Sequence, residues 1–135
     1  MTAALAPRNT PAIIGTTFQR DVAAGARIWQ GTIVVLAAGY AAPGSTALNL
    51  VADGRAAGNA DNTGGAAGAR KVTVEKGTFR FANSANADLI GRADIGKNAF
   101  LVDDQTVART DGAGTRSIAG KIMDVGAAGV WVRFD

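Results

Sequence analysis

Apolar residues in this chain fall into short runs separated by glycine, and most runs alternate with a period of two. That pattern predicts strands rather than amphipathic helices. The clearest run is Thr32-Ile33-Val34-Val35-Leu36, β-branched and bounded by Gly31 and Gly39, a strand signal. Because the run is continuous, both faces are expected to be covered, one by the core and the other by a neighbouring subunit or the N-terminal arm. Ala47 to Val51 predicts a further strand with Leu48 and Leu50 on one face. Lys71 to Glu75 alternates cleanly and Thr78 to Phe81 does so again, but the apolar set moves from even to odd positions across Lys76-Gly77. A one-residue bulge at Gly77 restores a single face over one long strand, with Phe79 and Phe81 in the core. It is favoured over a hairpin because Lys-Gly is not the Asn-Gly or Asp-Gly pair of a tight turn.

The last third, Gly96 to Asp135, reads as four short strands broken at Asp103-Asp104, Thr110 to Gly114 and Gly126 to Gly129. Phe100 and Val102 form one face of its first strand. Ile118 and Ile122 share a face of the third, with Gly120 at a bulge. In the last strand Val130, Val132 and Phe134 alternate with Trp131 and Arg133, and the pattern leaves open which set faces inward. The paired aspartates invite a catalytic reading. Neighbours on a strand point to opposite sides, however, so they do not converge on one substrate atom, and a turn is the better reading.

The front of the chain is less regular. Residues 1–17 carry Pro7, Pro11 and the apolar pair Ile13-Ile14 without periodicity, predicting an extended arm ahead of a single β domain over residues 18–135. Phe18 to Trp29 is a weak helical or turn signal stopped by Gly25. Residues 53–69, DGRAAGNADNTGGAAGA, hold no large apolar side chain and predict a long, mobile, glycine-rich surface loop. A phosphate cradle there lacks the GxxxxGK[ST] pattern. A calcium site there lacks the regular carboxylate spacing. Asn83 to Asp94 predicts a loop or one helical turn around Leu89-Ile90.

Composition narrows the chemistry. The 135 residues are 47% apolar, but much of that is alanine, so the core must be small; 18 glycines favour turns and bulges. With no cysteine and no histidine, disulfides, thiolate metal sites and Ser/His/Asp or Cys/His catalysis are excluded. Lysine or carboxylate chemistry remains formally open, but no residue set converges on a reaction, and an enzyme is not expected. No cofactor and no metal are expected either. The net charge of +3 is scattered, without the basic stripe and interleaved aromatics of a nucleic-acid binder. It suits an acidic protein surface instead. No run reaches the length of a membrane span, and the N-terminus lacks the pattern of a secretory signal.

One resemblance adds to this. Residues 70–135, about half the chain, contain Gly77-Thr78-Phe79, then Gly96-Lys97, an aromatic-containing strand ending Asp103-Asp104, Ala119-Gly120-Lys121-Ile122, and the V-x-V-x-hydrophobic strand Val130 to Phe134. This pattern resembles the small capsid decoration, or cement, proteins of tailed bacteriophages, and Lys76 to Arg80 looks like its counterpart in lambdoid head-stabilising proteins. The resemblance implies an all-β fold, a small β-barrel or β-tulip-like domain. It implies a homo-oligomer, a trimer before a dimer, on the outer capsid surface of the virion, made in the host bacterial cytoplasm. The major capsid protein is the implied partner, with no direct nucleic acid and no membrane. Residues 1–69 depart from the shorter members in their long arm and glycine-rich loop. The expected contacts to capsid or neighbouring subunits are Arg8, Ile13, Ile14 and Phe18, with Trp29 and Trp131 beside them. The rival readings are a phage tail-tube or baseplate β module, and a carbohydrate-binding domain with Trp29, Tyr40 and Trp131 on one open face.

Overall fold

The computed structural model describes residues 2–13 and 15–135. Twelve strands run in chain order: β1 Thr17–Asp21, β2 Arg27–Ile28, β3 Ile33–Ala37, β4 Tyr40–Pro43, β5 Leu50–Ala56, β6 Ala60–Asp61, β7 Lys71–Glu75, β8 Gly77–Asn83, β9 Asn98–Leu101, β10 Thr106–Ala108, β11 Ile118–Gly126 and β12 Gly129–Phe134. Two single 3-10 turns, Asn86–Asp88 and Arg92–Asp94, are the helical content among the described residues. The protein is all-β, as expected.

The strands build two bodies. The front half forms an antiparallel sheet in the order β1-β7-β5-β3-β4, and the C-terminal half a closed barrel in the order β10-β8-β12-β11-β9. The barrel closes through a parallel pairing of β10 with β8; its other pairings are antiparallel. The front sheet curls until its two edges meet, where Val22 bridges Ala41 and the Ala23 amide donates to the Ala41 carbonyl at 2.8 Å. β2 and β6 form a small ribbon beside it.

Each body has its own core, and β3 serves both. Ile33 and Val35 pack with Phe81, Leu101, Ile122, Val132 and Phe134 of the barrel, whereas Val34 packs with Val22, Ile28, Val72 and Val74. The double burial inferred from the continuous apolar run is therefore real, but the second cover is the chain's own front core rather than a subunit or the arm. Alternation over β12 puts Val130, Val132 and Phe134 inside and leaves Trp131 exposed.

The parity change at Lys76-Gly77 has a different cause from the predicted bulge. β7 pairs with β1 and β5 in the sheet, and β8 pairs with β12 and β10 in the barrel. Val72 and Val74 point into the front core and Phe81 into the barrel core. The apolar face changes because the strand passes from one core to the other, as at corners where strands switch sheets.

Three further expectations are corrected. The segment 53–69 is not one unbroken loop, although residues 62–69 remain turns. It contains most of β5 and all of β6, and its Asp53 and Asn62 are buried. Polar anchoring substitutes for apolar bulk: the Asn62 amide donates to the Ala23 carbonyl at 3.0 Å and the Ala66 carbonyl at 2.9 Å. Phe18 to Trp29 forms most of β1 and all of β2, and of the helical and turn alternatives it is the turn that is present, at Ala24-Gly25 between the two strands. In the C-terminal unit Phe100 and Val102 share a face as expected, both half-buried, while Ala99 and Leu101 are fully buried; Ile118 is exposed and Ile122 buried, so those two do not share a face. A register shift between Ile118 and Gly120 breaks the simple alternation of β11. The bulge expected near Gly120 is thus present, and a side chain there would meet the Arg133 backbone carbonyl.

Candidate interaction surfaces

Residues 2–13 carry no strand or helix and are exposed throughout. Pro7 and Pro11 explain the lack of structure, since each removes a backbone donor and biases its predecessor to extended geometry. Leu5 is 93% and Ile13 76% exposed, and Arg8 is exposed with them. Ile14 lies outside the described residues. The chain enters the body at Thr16, whose carbonyl accepts the Lys76 amide at 2.7 Å, and continues as β1, an edge strand of the front sheet.

Phe18 sits on β1 opposite Val74, under the cations of an ionic cluster. Its ring lies 4.8 Å from the Arg20 guanidinium and 5.9 Å from the Lys76 ammonium. Both cations converge on Asp53, only 2% exposed: Arg20 donates twice, at 2.8 and 3.0 Å, and Lys76 once at 2.7 Å. Asp53 reaches this place because β5 is irregular. Val34 pairs with Gly54 and Val35 with Ala52, so Asp53 is the extra residue of a bulge. Burial pushes the Asp53 carboxyl up, but its bonds to Arg20 and Lys76 outweigh that and hold it below the usual carboxylate range. The cluster ties β1, β5 and the β7–β8 crossing together. Phe18 is half-buried beside that tie.

The two tryptophans lie on different strands. Trp29 follows β2, is half-exposed, and has the Arg27 guanidinium 4.1 Å from its ring. Trp131 projects from the barrel, with Arg80 of the neighbouring strand 5.9 Å away. It lines an open cleft of about 440 Å³ between barrel and sheet, together with Gly31, Arg55, Phe79 and Arg80. Arg55 stacks on Phe79 at 4.1 Å and pairs with Glu75 at 2.6 Å. Trp29 and Tyr40 do not line this cleft, so the three aromatics a sugar platform requires are not brought together there.

A second surface was not foreseen. Leu48, Val51, Phe100 and Ile118 line an open groove of about 610 Å³ where the start of β5 lies against β9 and β11, with Asp111 and Arg116 also on its lining. Its residues read as ordinary strand positions, because period two shows which residues share a face but not whether that face is covered. Arg116 is held by Asp88 at 3.2 Å. The Asp88 carboxyl is kept below its ordinary value by the Thr110 hydroxyl first and Arg116 second.

Asp103-Asp104 is a turn: the Asp103 carboxylate accepts the Gln105 amide at 2.9 Å and the Asp104 carbonyl accepts the Ile33 amide at 2.7 Å. Burial, and then the charge of Asp103, hold the Asp104 carboxyl above its usual value. Among the described residues no group of three or more His, Cys, Asp or Glu is placed to hold a metal ion, and no helix is long and apolar enough to cross a membrane. No family model, curated protein or solved structure matches the chain.

Proposed function

We propose that this protein is a capsid decoration protein, which binds the outer surface of a phage shell and stabilises it by bridging neighbouring major capsid subunits. The resemblance of residues 70–135 suggests the class. The observation that carries the reading is the arm: twelve described residues with Leu5 and Ile13 uncovered, attached to a body rigidly tied at the arm's root. An isolated monomer gains nothing by exposing such side chains, whereas a protein acting at many equivalent shell positions gains avidity from a weak apolar anchor. The exposed Trp29 and Trp131 supply further contact area of the kind enriched at interfaces.

The test is addition of purified protein to expanded capsids lacking their decoration. The full chain is expected to co-sediment with the shells and raise their melting temperature. A variant lacking residues 1–15, which keeps the Thr16 carbonyl, is expected to retain its circular dichroism spectrum and lose most of that binding. Unaltered shell binding by the truncated variant removes the arm from the function; no binding by the full chain removes the function.

A further inference from the structure

The apolar groove and the arm are both uncovered in one protomer, and each has what the other lacks. The groove is bordered by backbone only partly used in ladders. The Leu50 amide turns away from β3 to donate to Ser117 Oγ at 3.1 Å, and that hydroxyl donates to the Ala47 carbonyl at 2.7 Å. One side chain, not a ladder, thus fixes the start of β5 beside β11. Past β3, β5 has a second strand neighbour among the described residues only at Arg55 and Ala56, so Leu50 to Asp53 shows no partner strand there on that edge. Amides two residues apart on a strand face the same way, so Ala52 presents its amide on the side where Leu50 does. β11 likewise pairs with β12 only from Lys121 onward.

We propose that this groove receives residues 2–13 of a second copy of the chain, laid along β5 as an extended segment. Three features select this occupant. Pro7 and Pro11 keep the arm extended, the geometry an open strand edge accepts. Leu5 and Ile13 supply apolar side chains for the surface formed by Leu48, Val51, Phe100 and Ile118. Charge is complementary: Arg8 is the sole charged side chain before Arg20, and Asp111 on the groove lining makes no ion pair among the described residues, whereas Arg116 is held by Asp88. Length suffices, since an extended twelve-residue arm reaches about 40 Å and the five residues Leu48 to Ala52 span about 17 Å. The arm stands exposed and unseated on its own protomer, so the occupant comes from another. The proposal deepens the decoration reading: the arm serves the shell by linking copies of the protein into a multivalent oligomer, so that losing the arm costs shell binding through lost avidity, and no step rests on a capsid.

Sedimentation velocity on the isolated protein at about 100 μM tests it. The full chain is expected to self-associate, and deletion of residues 1–15 or the substitution Val51→Asp is expected to weaken association at least tenfold. Val51 is 61% exposed, so its substitution spares the fold. Mixing the two variants pairs an intact arm with an intact groove and is expected to restore a one-to-one complex. Because the chain has no cysteine, Ile13→Cys and Ile118→Cys made in separate chains provide a milder probe, expected to give an interchain disulfide on mixing under oxidation. A monomeric full chain, association that survives loss of the arm, or no interchain disulfide overturns the proposal. These readouts contain no capsid, so failure here leaves shell binding to be judged by its own assay.

Discussion

The front sheet and the C-terminal barrel have similar strand counts but are held together differently. The barrel core contains Phe81, Phe134, Leu101, Ile122 and Ile90, with Phe81 and Phe134 edge to face at 5.9 Å. The front core is largely valine and alanine. What the front body lacks in apolar area it makes up with buried polar ties: Asp53 binding Arg20 and Lys76, and Asn62 binding carbonyls of the β1–β2 connection and of Ala66. The lesson is that an alanine-rich, glycine-rich segment can be ordered without bulk when a few polar side chains are fully satisfied.

The contrast is open to attack from both sides. Phe134→Ala removes one of the two buried phenylalanines of the barrel core and is expected to cost about 4 kcal/mol in urea unfolding. A loss below about 1 kcal/mol would show that the barrel does not depend on its aromatic packing. Asp53→Asn leaves two cations facing a neutral amide and is expected to cost about 3 kcal/mol at neutral pH. Its pH dependence has a definite sign. The Asp53 carboxyl sits below its unfolded value of about 3.9, so its contribution is present above that pH and lost as pH falls through the folded value. The wild-type chain is therefore expected to lose stability below about pH 4, and the Asn variant to show a shallower acid limb; equal slopes would mean the cluster is not the front body's tie. The smallest effect is opposite in direction. Asp104 has a raised carboxyl value, so its charged form costs stability at neutral pH. Asp104→Asn is expected to gain about 0.5 kcal/mol at pH 7 and nothing at pH 3, where the carboxyl is protonated in both states.

Where strands alternate around one core, the sequence was readable: β7, β8 and β12 carry their periodicity openly, and four strands in the last third are observed. Ile33-Val34-Val35 announced burial on both faces because no polar residue interrupts it. The misreadings cluster where the pattern is locally broken. Bulges at Asp53 and beside Gly120 shift side chains by one position, so Ile118, one face by counting, lies on the other in space. Residues 53–69 looked disordered because their anchoring comes from partners far along the chain, Arg20 and Ala23 among them. Of the expected contact residues, Arg8, Ile13, Trp29 and Trp131 are exposed; Phe18 is half-buried beside the ionic cluster. The groove at Leu48, Val51, Phe100 and Ile118 had no signal, since apolar strand residues look alike whether or not something covers them.

By itself, then, the sequence determined the all-β class, the strand-rich C-terminal unit, the structureless arm and the absence of histidine and cysteine chemistry. These follow from residue type and short-range spacing, which the chain carries locally. Only the tertiary structure decided that there are two cores sharing β3, that the strand through Lys76 crosses between them, and that Asp53 is a buried linchpin. The same holds for the open apolar groove, uncovered among the described residues. Each of those depends on which distant residues meet, and pairing between positions tens of residues apart leaves no mark on the local pattern.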